Sequence, residues 1–142
     1  MELDKMSLIN FKLSSIEISA LCEFSDSDYY ILHTVKPFVG NNLIILAFSD
    51  DFPIGFNEMG IFLYEDGEKR FVNSSIENFS NSILEFDRYR KEIQKYVDAD
   101  EEEQIQVVNF YIENLKEIDA VAWAEANNFW PIIANQMLEG NL

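Results

Sequence analysis

Asp98, Asp100 and Glu102 stand at alternate positions of a run, Asp98-Ala99-Asp100-Glu101-Glu102-Glu103, in which carboxylates could gather around a divalent cation. A calcium loop needs glycine at its sharp turn and a bidentate glutamate at its end, where this chain has Glu103 and Asn109, so that chemistry fails. The run suits the first turn of a helix instead, because acids there meet unsatisfied amides and the positive end of the dipole. His33 is the single histidine and has no Cys or His companion at metal-ligand spacing. Cys22 is the single cysteine, with no basic neighbour in sequence to lower its pKa, and reads as a small buried thiol rather than a nucleophile. The chain has no Gly-rich phosphate loop, no G-x-S-x-G and no H-E-x-x-H. Among 26 acids some carboxylates fall close together by chance, which is no hydrolase signal. The expected chemistry is therefore binding: no enzyme, no metal and no cofactor.

What the chain binds is constrained by charge. With 26 acidic and 10 basic residues its formal net charge is −16, which repels nucleic-acid phosphates and anionic lipid and attracts a basic protein. Solubility alone is the plainer reading of the same charge. The residues best placed to meet a partner are Asp50, Asp51 and Phe52 in one loop, Glu58 beyond it, Glu65 and Asp66 at a hairpin tip, and Asp98, Asp100, Glu101, Glu102 and Glu103. Beside that stands the ordinary reading of a loop whose Asp side chains cap backbone amides.

A single domain over residues 1–142 is expected from the length and from an apolar content of 48%. The longest apolar run, residues 43–48, is far too short to span a bilayer. The start, MELDKMSLIN, lacks the basic segment and long apolar stretch of a signal peptide, and one cysteine permits no internal disulfide. The chain thus reads as cytoplasmic, a monomer or weak homodimer.

The acids must be held by elements the sequence also predicts. Residues 61–64 form a short β-prone run, Asp66-Gly67 is a hairpin pair, and Arg70, Phe71 and Val72 begin the return strand. Ser74 and Glu77, in Ser-x-x-Glu spacing, predict a helix starting there. Its apolar positions Ile76, Phe79, Ile83, Phe86, Ile93 and Val97 step by three and four, broken only by Arg90, so one face lies on a sheet. Arg88, Arg90, Lys91 and Lys95 fall in its second half, where cations complement the dipole.

Upstream, Ile16, Ile18, Ala20, Cys22 and Phe24 alternate with Glu17, Ser19, Leu21 and Glu23, predicting a half-buried strand with Cys22 inward. Residues 29–35 predict a second strand ending before Lys36-Pro37, with His33 exposed or at the sheet rim. Gly40-Asn41-Asn42 is a turn, and residues 43–48 read as a central strand covered on both faces. Residues 1–12 carry no decisive period. Downstream, Ile105, Val108, Ile112 and Leu115 mark another buried stripe, and Asp119 is placed to cap a turn holding Ala122 and Trp123. Phe129-Trp130-Pro131 leads into residues 132–138, stopped by Gly140, and Trp123, Phe129 and Trp130 are expected to be buried. Strands first and helices second predict an α+β fold, with a mainly antiparallel sheet of about five to six strands and the helices packed on one side.

Several of these residues carry a family resemblance. The turn Glu65-Asp66-Gly67, the strand Phe71-Val72-Asn73, the phrase Asn73-Ser74-Ser75-Ile76 with Phe79, and a C-terminal Asp119, Phe129-Trp130-Pro131 and Glu139-Gly140 resemble the SUKH superfamily. That group includes the fungal Smi1/Knr4 regulators and many bacterial immunity proteins, and the chain looks most like its fourth branch, over residues 43–142. The resemblance implies a non-enzymatic α+β domain that binds and neutralises a bacterial toxin, often a nuclease or nucleic-acid deaminase. The alternative is a Smi1/Knr4-type scaffold joining cellular proteins.

Overall fold

The structure is a computed structural model and describes residue 11 and residues 13–142; the unassigned stretch 1–12 lies, Phe11 apart, outside the described residues. Six strands form one sheet in chain order, with every neighbour antiparallel. They are β1 (Ser27–Asp28), β2 (His33–Gly40), β3 (Leu43–Ser49), β4 (Phe52–Asn57), β5 (Gly60–Glu65) and β6 (Glu68–Asn73). Turn chemistry dictates this meander. Asn41 and Asn42, Asp50 and Asp51, and Asp66 and Gly67 each take positive φ in succession. Two left-handed residues in a row make a turn whose twist matches the flanking strands, and Asn, Asp and Gly accept that conformation most readily.

As expected, β3 is central and buried on both faces. Ile44 and Leu46 belong to the core beneath the helices. On the other face Phe38, Ile45, Gly55, Phe62 and Phe71 form one cross-strand row. There the Phe62 ring meets Phe71 edge-on at 5.4 Å, and Lys69 Nζ lies 4.7 Å from its centroid, so the sheet's own aromatics close this face.

Among the described residues four α-helices accompany the sheet: α1 (Ser15–Cys22), α2 (Ile76–Ile93), α3 (Glu101–Ile118) and α4 (Phe129–Leu138). Short 3-10 turns stand at Gln94–Tyr96 and Ala120–Trp123. The stripe of α2 is buried at Ile76, Phe79, Ile83 and Phe86, which Tyr89 joins, but the helix ends at Ile93, so Val97, expected in the same stripe, lies beyond it and is exposed, as is Ile105 of the α3 stripe. Val108, Ile112 and Leu115 of α3 pack there too, and Phe129 and Trp130 are buried while Trp123 is half-buried.

Two upstream expectations are overturned. The stretch from Ile16 to Cys22, read as a strand, is helical, and Cys22 is exposed rather than inward. The cause is a capping box. The Glu17 amide donates to Ser14 Oγ at 3.1 Å, and the Ser14 amide donates to Glu17 Oε1 at 3.2 Å, satisfying two orphan donors that only a helix start creates. The second strand does not occupy residues 29–35 either. The backbone turns at Tyr30, and β2 starts at an exposed His33 and runs through Lys36-Pro37 to Gly40. A bulge between Thr34 and Phe38 lets the ladder pass a proline that has no amide to donate.

A buried polar network ties the two halves together. Asn73, Ser82, Trp130 and Asp119 are all buried, and Asn73 and Trp130 are 0% and 1% exposed. Asn73 Nδ2 donates to Asp119 Oδ2 at 2.9 Å and to Ser82 Oγ at 3.2 Å, while Asn73 Oδ1 accepts from Trp130 Nε1 at 2.9 Å. Ser74 gives Asp119 two further bonds, from its amide at 2.8 Å and its hydroxyl at 2.9 Å. This corrects two local readings. Ser74 is engaged by Asp119, so Ser75 becomes the cap, its Oγ accepting from the Asn78 amide at 3.0 Å. Asp119 spends its carboxylate across the fold and makes no side-chain cap on the following turn. A carboxylate offered three donors in a low-dielectric site outweighs a single capping amide.

Tyr64, Tyr89 and Tyr111 all have their phenol pKa raised above the ordinary value of 10.0, with burial the largest cause in each. A raised folded-state pKa means stability is fully present below the unfolded value and is lost as pH climbs through the folded one. Unfolding at alkaline pH is therefore expected to track tyrosinate formation, read by ultraviolet difference spectra alongside circular dichroism. Tyr89→Phe should flatten that dependence above pH 10. An unchanged profile in that variant would remove Tyr89 as a cause.

Candidate functional site

The meander decides where the candidate acids go. Antiparallel pairing puts the β3–β4 turn (Asp50, Asp51) and the β5–β6 turn (Asp66, Gly67) at one end of the sheet, and the β4–β5 turn with Glu58 at the other. Phe52 opens β4 with its ring half-buried against the core. Asp50 and Glu65 line a single groove of about 330 Å³, walled by Phe129, Ile132 and Gln136 of α4, with Arg70 beside them. Glu101 lines a second groove, of about 600 Å³, between the ends of α2 and α4 and the start of α3. The two grooves adjoin: Leu142 lines both, and Arg90 of the second lies 3.8 Å above the ring of Tyr30 in the first.

The acidic run behaves as a helix start. Asp100 is the N-cap of α3, its Oδ1 accepting from the Glu103 amide at 2.8 Å, and Glu101, Glu102 and Glu103 fill the first turn. All six candidate turn and run acids at this end apart from Glu65, namely Asp50, Asp51, Asp66, Glu101, Glu102 and Glu103, are exposed, as are Asp98 and Asp100; Glu65 is half-buried.

Most of the described basic residues are engaged elsewhere, and only Lys69 and Arg70 line a hollow with Glu65 and Asp66. Arg88 and Lys91 pair with Glu85 and Asp87 along α2, Lys95 of the following 3-10 turn pairs back with Glu92, and Lys116 pairs with Glu113 on α3. Arg90 and Lys69 stack on Tyr30 and Phe62. Among the described residues none of the candidate acids forms an ion pair, so their field projects outward.

Two details at this end cost stability locally. Glu65 stands directly opposite Glu68 across the closing pair of the β5–β6 hairpin, with Asp66 in the turn between them. Like charges so placed repel. Glu68→Lys is expected to stabilise the fold by about 0.5 kcal/mol by turning that repulsion into a cross-strand attraction, read as a higher urea midpoint at low salt; a lower midpoint would contradict it. Tyr30 holds φ at 75°, a strained value for a bulky residue, and stays exposed. It is kept there by Asp28 Oδ1, which accepts its amide at 2.9 Å, and by the Arg90 guanidinium. Sequence reasoning missed Tyr30 and Arg90. The Ser-Asp-Ser-Asp before Tyr30 was the available signal, since Asp accepts hydrogen bonds from amides two residues on.

Among the described residues no group of His, Cys, Asp and Glu is arranged to hold a metal ion, and no helix is long and apolar enough to cross a membrane. What remains is an acidic end with two adjoining grooves, of which the second exposes more apolar than polar surface. A family model described as SUKH-4 immunity protein matches residues 61–136, over half of the chain. The match takes in β5, β6, the buried network and the acidic start of α3, and leaves out Asp50, Asp51, Phe52 and Glu58. No curated protein and no solved structure matches.

Proposed function

We propose a function from one premise: the chain belongs to the SUKH-4 family of immunity proteins. Membership makes its partner a toxin. The finer reading is that this toxin is a basic domain, a nuclease or nucleic-acid deaminase, whose positive cleft is occluded by the acidic end of this chain in the cytoplasm. The chain acts by occupying that cleft, with no chemistry of its own. A cleft that binds phosphates presents lysines and arginines, and an outward negative field steers association with such a surface before short-range contacts hold it.

The family match is the observation that carries this reading. Support for the electrostatic part comes from the convergence of Asp50, Glu65 and Glu101 on two adjoining grooves with no cation paired to any of them among the described residues. The test is co-expression with the toxin domain encoded beside this chain's gene. Growth should be rescued and a stable complex recovered, and its association rate should fall steeply as salt rises. Toxicity undiminished by the chain would refute the immunity reading, whereas a rate indifferent to salt would refute only the steering.

A further inference from the structure

The two apolar stripes that build the core run past it. In α2 the stripe ends at Ile93, yet the next residue in step, Val97, is 71% exposed. In α3 it is anchored by Val108, yet Ile105, one turn earlier, is 38% exposed. Leu138, beside the buried Met137 at the end of α4, is 44% exposed. All three line the same groove of about 600 Å³. Aliphatic side chains at stripe positions that meet no core partner form a floor for something else. Above that floor stand Glu101 and Glu139, both exposed, and the C-terminal ends of α2 and α4 add the negative ends of two helix dipoles against the positive end of α3, which its own first-turn acids already meet. The one cation in the groove, Arg90, is turned to the Tyr30 ring.

We infer that this groove seats a segment of the toxin carrying aliphatic side chains flanked by lysine or arginine. The inference rests on the immunity reading and names the part of the acidic end that grips. The aliphatic side chains enter between Val97, Ile105 and Leu138, and the flanking cations meet Glu101 and Glu139. Charge selects this occupant. A second copy would bring the same acids and a net charge of −16 against themselves. Residues 1–10 of the chain contain Met6, Leu8 and Ile9, but with Glu2 and Asp4 they carry more acid than base toward a rim that is already acidic.

The experiment uses the full chain and the toxin domain encoded beside its gene. Ile105→Ser and Leu138→Ser change exposed positions and should leave the thermal midpoint within a few degrees of the parent. Each is expected to weaken toxin affinity by roughly tenfold or more, mainly through faster dissociation. A photo-crosslinking residue at position 138 should join the toxin at a peptide with aliphatic residues beside lysine or arginine. If the parent chain neither binds nor rescues, the immunity reading has failed. If it binds, but both serine variants bind as the parent does, the groove assignment has failed. A crosslink in the complex to a second copy, to residues 1–10, or to an acidic toxin peptide would overturn the proposed occupant.

Discussion

Asp119→Ala is expected to remove about 3 to 5 kcal/mol of stability, because it deletes a buried carboxylate and strands the donors aimed at it. The Ser74 amide and hydroxyl lose their acceptor, and Asn73 Nδ2 keeps only Ser82. For a domain whose whole stability is about 5 to 15 kcal/mol, that loss brings it near the folding threshold. Asp119→Asn should fall between, since one amide oxygen still accepts while its NH2 group faces donors. Trp130→Phe leaves Asn73 Oδ1 without its partner and should cost about 1 to 3 kcal/mol. Urea unfolding of the single and double variants separates these effects, and the pair should couple because both act through Asn73. An Asp119→Ala protein with the parent's midpoint would mean that the network is incidental to the fold.

The other large effect belongs to binding. Replacing Asp50, Glu65 and Glu101 together by lysine should slow association with a basic toxin domain by roughly 10- to 100-fold at low salt, with a smaller change in dissociation. The three residues lie on two grooves that share Leu142, so their reversal weakens the negative field over one end of the molecule. Raising the ionic strength should bring the variant and parent rates together, because steering is screened beyond about 8 to 10 Å in physiological salt. Glu58→Lys, set against Glu65→Lys alone, is the internal comparison at equal change of charge. Glu58 carries the same charge on the opposite end of the sheet, so its reversal should change the rate far less. Equal slowing by both would show that net charge, and not this end, sets association. Stopped-flow fluorescence over a salt series decides between them.

These predictions differ in how far the sequence alone reaches. The hairpin at Asp66-Gly67, the turn at Asn41-Asn42, the buried stripe of α2 and the acidic start of α3 were all legible. Each is fixed by neighbours within four residues, through a left-handed turn pair, a helical period or a capping amide. Local signals also misled where two coexisted: residues 16–24 alternate like a strand, while Ser14 and Glu17 form a capping box, and the bonds of that box prevail.

The rest required the chain to be folded. Ser74 and Asp119 are each plausible caps when read locally, yet they meet across a separation of 45 residues, and Trp130 reaches Asn73 across 57. The sequence by itself determined the elements from Leu43 onward, the surplus of acid and the family. Only the tertiary structure decided that Asp50 and Glu65 share a groove adjoining the one that holds Glu101, that Glu58 stands apart, and that Val97, Ile105 and Leu138 line one groove without a core to cover them. The physical reason is that turn and helix chemistry act over a few residues, whereas the meeting of distant side chains depends on how whole elements pack once their apolar faces leave water.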